Sequence, residues 1–309
     1  MLEAVENPKE MFVAELARKL SPASVVRCDE PLSKKTTLRV GGPADFYIEP
    51  ASEDDLAAVL EFSSENDIPF FVLGRGSNLL IKDAGIRGFV ISLGHAGFSR
   101  LKIDGEKLSC GAGVRLKTIS VEARKNHLAG LEFLEGIPGN LGGALRMNAG
   151  AMGRATFDVL EKIRVMDSSG KTQELKRNEI TVEYRSCPLL KSRIVLSAVL
   201  KGVHATSEAV AERMKIYSAK RWESQPKEPS AGCIFKNPET VPAGKLVQEL
   251  GLKGMRIGGA RVSEIHGNFI VNDGTATAQN VLDLIELIKQ KARTERGLEL
   301  RTEVEIIGE

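Results

Sequence analysis

The sequence predicts an α+β protein of more than one domain, on three observations. Short apolar runs broken by glycine turns fill residues 39–200, with only two helical patterns among them. The character changes near residue 204, where a region with its own helices and strands begins. The last residues alternate: Leu298, Leu300, Thr302, Val304 and Ile306 share one face, and Glu299, Arg301, Glu303 and Glu305 the other, the period of a half-buried strand. At roughly 100–200 residues per domain, the 309-residue chain holds two or three domains.

Taken in order, Asn7-Pro8-Lys9-Glu10 has the form of an N-cap, a proline at the first helical position and a capping glutamate, followed by Phe12, Leu16 and Leu20 at helical spacing. Strands are expected over 70–73, 89–93, 107–110, 163–166 and 194–200, and helices over 52–66 and 116–125. Past residue 204, Ser207 is the expected cap of a helix with Val210, Met214 and Tyr217 on one face. A loop over 224–230, a helix over 244–250 stopped by Gly251, a strand over 268–272 and a long helix over 277–293 closed by Gly297 complete the chain before the last strand.

Composition removes several classes of function. Hydrophobic residues are 42% and charged residues 27%, ordinary for a chain that buries a core. Lys+Arg is 43 against 41 Asp+Glu, a net charge of +2, so there is no basic field to hold a nucleic-acid backbone. Aromatic residues, at 5%, are too few for a base-stacking surface. No apolar run reaches the length of a membrane span, and the acidic start Met1-Leu2-Glu3 lacks the basic and apolar parts of a signal peptide. The four cysteines, Cys28, Cys110, Cys187 and Cys233, lie far apart without C-x-x-C spacing. They are expected as free thiols in a reducing cytoplasm, with no metal site.

Two glycine loops carry most of the functional signal. Gly74-Arg75-Gly76-Ser77-Asn78-Leu79 follows an apolar run, and glycines let backbone N–H groups converge on an anion. It is no dinucleotide fingerprint, because Leu79 stands where the third glycine belongs and Leu79-Leu80-Ile81 reads as strand. A phosphate cradle and a tight hairpin both fit it. The second loop runs Gly136-Ile137-Pro138-Gly139-Asn140-Leu141-Gly142-Gly143-Ala144 and on to Asn148-Ala149-Gly150. So many glycines cost backbone entropy, which close approach to a diphosphate or to another chain segment would explain.

Further segments join these loops: Tyr184-Arg185-Ser186-Cys187, Gly232-Cys233-Ile234-Phe235-Lys236-Asn237-Pro238, Ala243-Gly244-Lys245-Leu246, His266-Gly267-Asn268-Phe269-Ile270-Val271-Asn272 and Glu303-Val304-Glu305-Ile306-Ile307-Gly308. From about Thr36 to Gly308 the chain resembles the UDP-N-acetylenolpyruvoylglucosamine reductase family, in its shorter subclass. The resemblance implies a two-subdomain FAD-binding module of the PCMH type, over 1–92 and 93–204, and an α+β substrate-binding domain over 205–309 whose final strand enters the active site. It implies non-covalent FAD, NADPH as co-substrate, a UDP-sugar substrate, peptidoglycan precursor synthesis, a cytoplasmic location and a monomer. Gly74, Arg75, Gly76, Ser77, Asn78, Leu79, Gly136, Pro138, Gly139, Gly142, Gly143, Asn148 and Gly150 would hold the cofactor. Tyr184, Asn237 and His266 would touch substrate, and Arg185, Cys233 and Glu303 would be catalytic. The chain departs from the family twice, with Cys233 and Cys187 at positions where serine is usual.

The chemistry suits those residue types. Adding a hydride and a proton across an enol ether builds negative charge beside a carboxylate, which calls for a cation and an acid. Arg185 offers a permanent, bidentate cation, Cys233 a protonated thiol and Glu303 a hydrogen-bonding carboxyl group. Taken singly, the three have common structural readings: a strand-end arginine, a buried thiol and a solvated strand glutamate. Lys220 and Arg221 could reach a diphosphate or form a solvated helix end, and Trp222 has no assigned role. Rival readings are another FAD oxidoreductase of the same scaffold acting on a small alcohol or hydroxy acid, and a nucleotide-binding sensor without chemistry. None of His95, His127, His204 and His266 lies in either glycine loop, where a covalent flavin link would need one.

Overall fold

The structure, a computed structural model, describes residues 8–309. Two compact units emerge, and neither is continuous in sequence. The first takes the described part of Met1–Glu30 together with Asp45–Gly74 and Gly88–Ser218; the second takes Pro31–Ala44, Arg75–Arg87 and Ala219–Glu309.

In the first unit, a four-stranded sheet runs in the order Val25–Pro31, Pro43–Glu49, Ile86–Ser92, Phe70–Leu73, with the last two strands parallel. The helix Glu53–Glu65 packs Leu56, Val59, Leu60 and Phe62 inward at helical spacing. Ser52 caps it by accepting from the Asp55 N–H at 3.1 Å. The helix Pro8–Lys19 adds Leu16 and sets Phe12 edge-on to Phe62. Its expected cap, Asn7, lies outside the described residues.

A second sheet in this unit is fully antiparallel, in the order Thr172–Lys176, Leu160–Met166, Ile194–Lys201, Lys107–Gly111, Leu101–Asp104. The helix Leu116–Lys125 closes over it with Leu116, Ile119 and Ala123 buried. Both sheets share one apolar core, which runs from Leu16, Phe62 and Phe89 to Leu108, Leu141, Ile163 and Val195. The expected strands and both helices of this region are present, within a few residues of the expected ends.

The second unit is built on an antiparallel sheet ordered Ser230–Cys233, Phe269–Asn272, Ala260–Val262, Arg256–Ile257. The helix Ala278–Arg296 buries Val281, Leu284, Ile285, Ile288 and Ala292 in the unit's core. Thr277 caps it, with Asn280 returning the bond, and Gly297 ends it in the left-handed conformation at φ 64°. Leu38, Val40 and Leu80, from segments far earlier in the chain, join the same core.

Two expectations are corrected, and one of two open readings is removed. The last strand is not continuous over 298–306: the chain bridges at Thr302 to Phe235, bends, and forms a strand only over Glu305–Ile307, parallel to Leu79–Ile81. Leu300 and Val304 are still buried, because alternation records facing rather than pairing. The cap of the helix Ser207–Ser224 is Thr206, whose hydroxyl accepts from the Ala209 N–H at 3.3 Å, one residue before the expected Ser207. Residues 74–79 are no hairpin, since Phe70–Leu73 and Leu79–Ile81 pair with different strands in different sheets.

Candidate active site

The first glycine loop enters the second unit at Arg75. Gly76 has φ +57°, and a β-carbon there would fall 2.8 Å from Thr36 Cγ2 and 2.9 Å from Thr36 Cα. Only glycine fits this approach. Thr37 donates its hydroxyl to the Ser230 carbonyl at 2.7 Å, while its N–H reaches the Gly76 carbonyl at 3.5 Å. Asn78 Nδ2 donates to the Glu303 carbonyl at 3.2 Å, and the Glu305 N–H donates to the Asn78 carbonyl at 3.0 Å. The loop is thereby sewn to both the 230–233 strand and the C-terminal segment.

Cys233 ends the strand Ser230–Cys233, half-buried and opposite Phe269. A register shift between Ser230 and Cys233, with Gly232 at φ +79°, interrupts the regular pleat just before the thiol. A β-carbon on Gly232 would meet only the Ser77 carbonyl, at 3.9 Å. Glu303 is half-buried rather than on a solvated face, and its N–H donates to the Ile234 carbonyl at 2.8 Å. Cys233, Glu303 and the 76–79 loop are thus neighbours joined through backbone bonds.

Asn237 and His266 show local structural contacts. Asn237 Oδ1 accepts from the Ala243 N–H at 3.0 Å, capping the short helix Ala243–Glu249. His266 Nδ1 accepts from the Asn268 N–H at 3.1 Å, and its ring meets Phe269 edge-on at 4.9 Å. Burial holds the His266 pKa below the usual histidine value, with the charge of Lys253 acting in the same direction.

In the first unit, Gly142 donates its N–H to the Ala112 carbonyl at 2.9 Å, and its absent β-carbon would lie 3.2 Å from Ala112 Cβ. Gly143 is different: it is exposed, and a β-carbon there would meet nothing within 4 Å. Asn148, at φ +39°, donates Nδ2 to the Glu183 carbonyl at 3.3 Å, and the Cys187 N–H reaches the Arg146 carbonyl at 3.0 Å. These bonds tie the second loop to the turn that carries Arg185. Glu183 and Ser186 exchange both backbone bonds, at 2.8 and 3.2 Å, leaving Tyr184 and Arg185 at the tip. Arg185 adopts φ +54°, a left-handed conformation that costs a side-chain-bearing residue on the order of 1–2 kcal/mol. Its guanidinium lies 5.0 Å from the centre of the Tyr184 ring, and Tyr184 is 63% exposed. Two other thiols are of a different kind: Cys110 and Cys187 are buried, and burial pushes Cys110 up to about 12, whereas Cys28 is half-buried like Cys233.

The second loop has the features of a cofactor cradle. Gly143 and Gly74 both face open space where a side chain would stand. Among the described residues, Asn140 Oδ1 and Ser186 Oγ are buried atoms with no hydrogen-bond partner. Polar atoms left in this way beside a glycine-rich backbone fit a large polar ligand such as FAD.

Such a loop on a two-sheet module defines a class, the FAD-binding proteins, and residues 44–176 match the family described as FAD binding domain. Residues 225–307 match UDP-N-acetylenolpyruvoylglucosamine reductase, C-terminal domain. A protein of the reductase name from Bacillus velezensis is 45% identical over 282 residues, covering 90% of this chain and 93% of that protein. One from Bacillus subtilis is 42% identical, covering 92% and 94%. The solved UDP-N-acetylenolpyruvylglucosamine reductase of Thermus caldophilus superposes with a TM-score of 0.80 at 36% identity, covering 92% of this chain and 99% of that one. The chain belongs to the UDP-N-acetylenolpyruvoylglucosamine reductase family.

Sequence reasoning overlooked Thr37 and Asn268, whose side chains bond to the Ser230 and Phe235 backbone, and Asn140, whose buried Oδ1 has no partner among the described residues. Asn140 and Asn268 stand inside quoted motifs, and Thr37 beside Thr36, but no spacing shows which polar side chain will turn toward backbone.

Proposed function

We infer that this chain is an FAD-dependent UDP-N-acetylmuramate dehydrogenase, reducing UDP-N-acetylglucosamine enolpyruvate to UDP-N-acetylmuramate with NADPH in peptidoglycan precursor synthesis. The match of residues 225–307 to the reductase C-terminal domain and of residues 44–176 to an FAD binding domain, with relatives of the reductase name along 90% of the chain, supports this reading. Backbone and side chains of residues 74–79 and of Gly136, Pro138, Gly139, Gly142, Gly143, Asn148 and Gly150 hold FAD without a covalent bond. When bound, FAD would supply the two-electron transfer from NADPH to the enolpyruvyl double bond.

The chain's own residues do the rest. Arg185 grips the substrate carboxylate, where charge builds. Cys233 gives a proton to the carbon next to that carboxylate; an ordinary thiol, with a pKa of about 8.5, is largely protonated at neutral pH. Glu303 hydrogen-bonds the enol form. Tyr184, Asn237 and His266 contact the sugar nucleotide. The enzyme works as a cytoplasmic monomer, and through the wall polymer it serves cell shape and division. Among the described residues no helix is long and apolar enough to cross a membrane.

The test is NADPH oxidation by the yellow, purified protein. Oxidation that starts only on adding the enolpyruvyl sugar nucleotide is expected. Flavin reduction by a small alcohol or hydroxy acid, with the sugar nucleotide inert, would replace this reading with another oxidoreductase of the same scaffold.

A further inference from the structure

The strand Ser230–Cys233 pairs with Phe269–Asn272 as far as Cys233, and then the chain changes partner. Phe235 bridges to Thr302, with the Lys236 N–H donating to the Arg301 carbonyl at 2.9 Å and the Glu303 N–H to the Ile234 carbonyl at 2.8 Å. In such a bridge the N–H and C=O of Phe235 point to the opposite side. There they meet a side chain. Asn268 Oδ1 accepts from the Phe235 N–H at 2.9 Å, and Asn268 Nδ2 donates to the Phe235 carbonyl at 2.8 Å. Both residues are buried, Asn268 at 3% and Phe235 at 1% exposure. The Asn268 backbone carbonyl also accepts from the Ile234 N–H at 2.9 Å. One buried amide thus does what a neighbouring strand would do at two points, and few side chains besides an amide supply donor and acceptor in that geometry.

We propose that Asn268 is a positioning residue for Cys233 and Glu303. The two arrive at this junction from separate directions: Cys233 is two residues before Phe235, and Glu303 is bonded to Ile234 through its N–H. Fixing Phe235 sets the path of 233–236, and with it both the thiol and the backbone that anchors Glu303. Without the amide, two buried backbone groups lose their partners, and the segment shifts rather than leaving them unpaired. The inference rests on the roles given above to Cys233 and Glu303.

The experiment follows the two half-reactions by rapid mixing in flavin-loaded Asn268→Asp and Asn268→Ala proteins. Asn268→Asp keeps the size and the acceptor for Phe235, so a variant remains if Asn268→Ala fails to fold. Flavin bleaching by NADPH should stay near the parent rate, while reduction of the enolpyruvyl substrate slows by about 10–10²-fold, the scale of a misplacement near 1 Å. Asn268→Asp combined with Cys233→Ala should be slowed by less than the product of the two single effects, because the loss through Cys233 is then already taken and only that through Glu303 remains. Alkylation of Cys233 by iodoacetamide should change rate in Asn268→Asp, a signature that turnover does not enter. Substrate reduction at the parent rate, equal slowing of both half-reactions, or slowdowns that multiply in the double variant would each overturn the positioning role alone. A Cys233→Ala protein with unimpaired substrate reduction would instead overturn the reading of Cys233, and this inference with it.

Discussion

At Gly76 a β-carbon would lie 2.8 Å from Thr36 Cγ2, whereas at Gly143 it would meet no atom within 4 Å. The two glycine loops look alike in sequence, yet the first contains a glycine required by the protein's own packing and the second a glycine that nothing in the fold requires. The second loop thus leaves open space at Gly143 and an unpartnered Asn140 Oδ1, the features on which its proposed cofactor role rests. The loops also serve different neighbours. The first is bonded to the segment of Glu303 and, through Thr37, to that of Cys233, and the second to the turn of Arg185. On the proposed roles, the proton donor would belong to one unit and the carboxylate-gripping cation to the other.

The sharpest test of that separation is Cys233→Ala. Flavin bleaching by NADPH should survive, and substrate reduction should slow by about 10²–10⁴, the usual worth of a positioned acid. Cys233→Ser should retain more activity, since a hydroxyl can carry the proton; unchanged reduction in the alanine protein would move the acid elsewhere. Glu303→Gln should come next, folding and keeping FAD but losing about 10² in turnover. Near-normal turnover would remove the carboxylate from the chemistry and leave Glu303 only its backbone bonds.

Smaller effects separate the loops themselves. Gly76→Ala should cost about 1–3 kcal/mol in urea unfolding, from a left-handed backbone and a clash with Thr36. Gly143→Ala should leave stability equal or raise it by up to about 1 kcal/mol, since it lies in the helix Leu141–Arg146. It should nevertheless weaken FAD binding, measured by flavin fluorescence on dilution. Gly143→Ala with undiminished affinity would mean the open space is not the cofactor's.

Acid should distinguish the units by the smallest margin. His266 has a lowered pKa in the second unit, so the folded state takes up its proton less readily than the unfolded chain. Its contribution is complete above about pH 6.5 and is lost as pH falls through the depressed value. In the first unit burial pushes Asp55 up, but bonds from the Ser21 N–H and from the Ser52, Ser21 and Ser24 hydroxyls prevail and hold it low. Its contribution is complete above about pH 3.9 and disappears only below that. His266→Gln should flatten the upper part of an acid unfolding curve and Asp55→Asn the lower; the reverse assignment would show that other groups govern each range.

The sequence by itself determined whatever depends on near neighbours. Ser52, Thr277 and Gly297 marked helix ends because capping and left-handed closure act within a few residues. The two glycine loops and the motifs from Tyr184 to Gly308 marked the family, because each is a short run of neighbouring residues that can be recognised without the fold. Tertiary structure alone decided which segments became partners. Alternation over 298–306 reported a buried face, but the length of the strand depended on Phe235 and on Leu79–Ile81, more than sixty and two hundred residues away. No local pattern announces that residues 31–44 and 75–87 join the core of 219–309, or that Asn268 will turn its amide to Phe235. Burial and pairing are satisfied by whatever the folded chain brings near, and that proximity is not written into spacing along it.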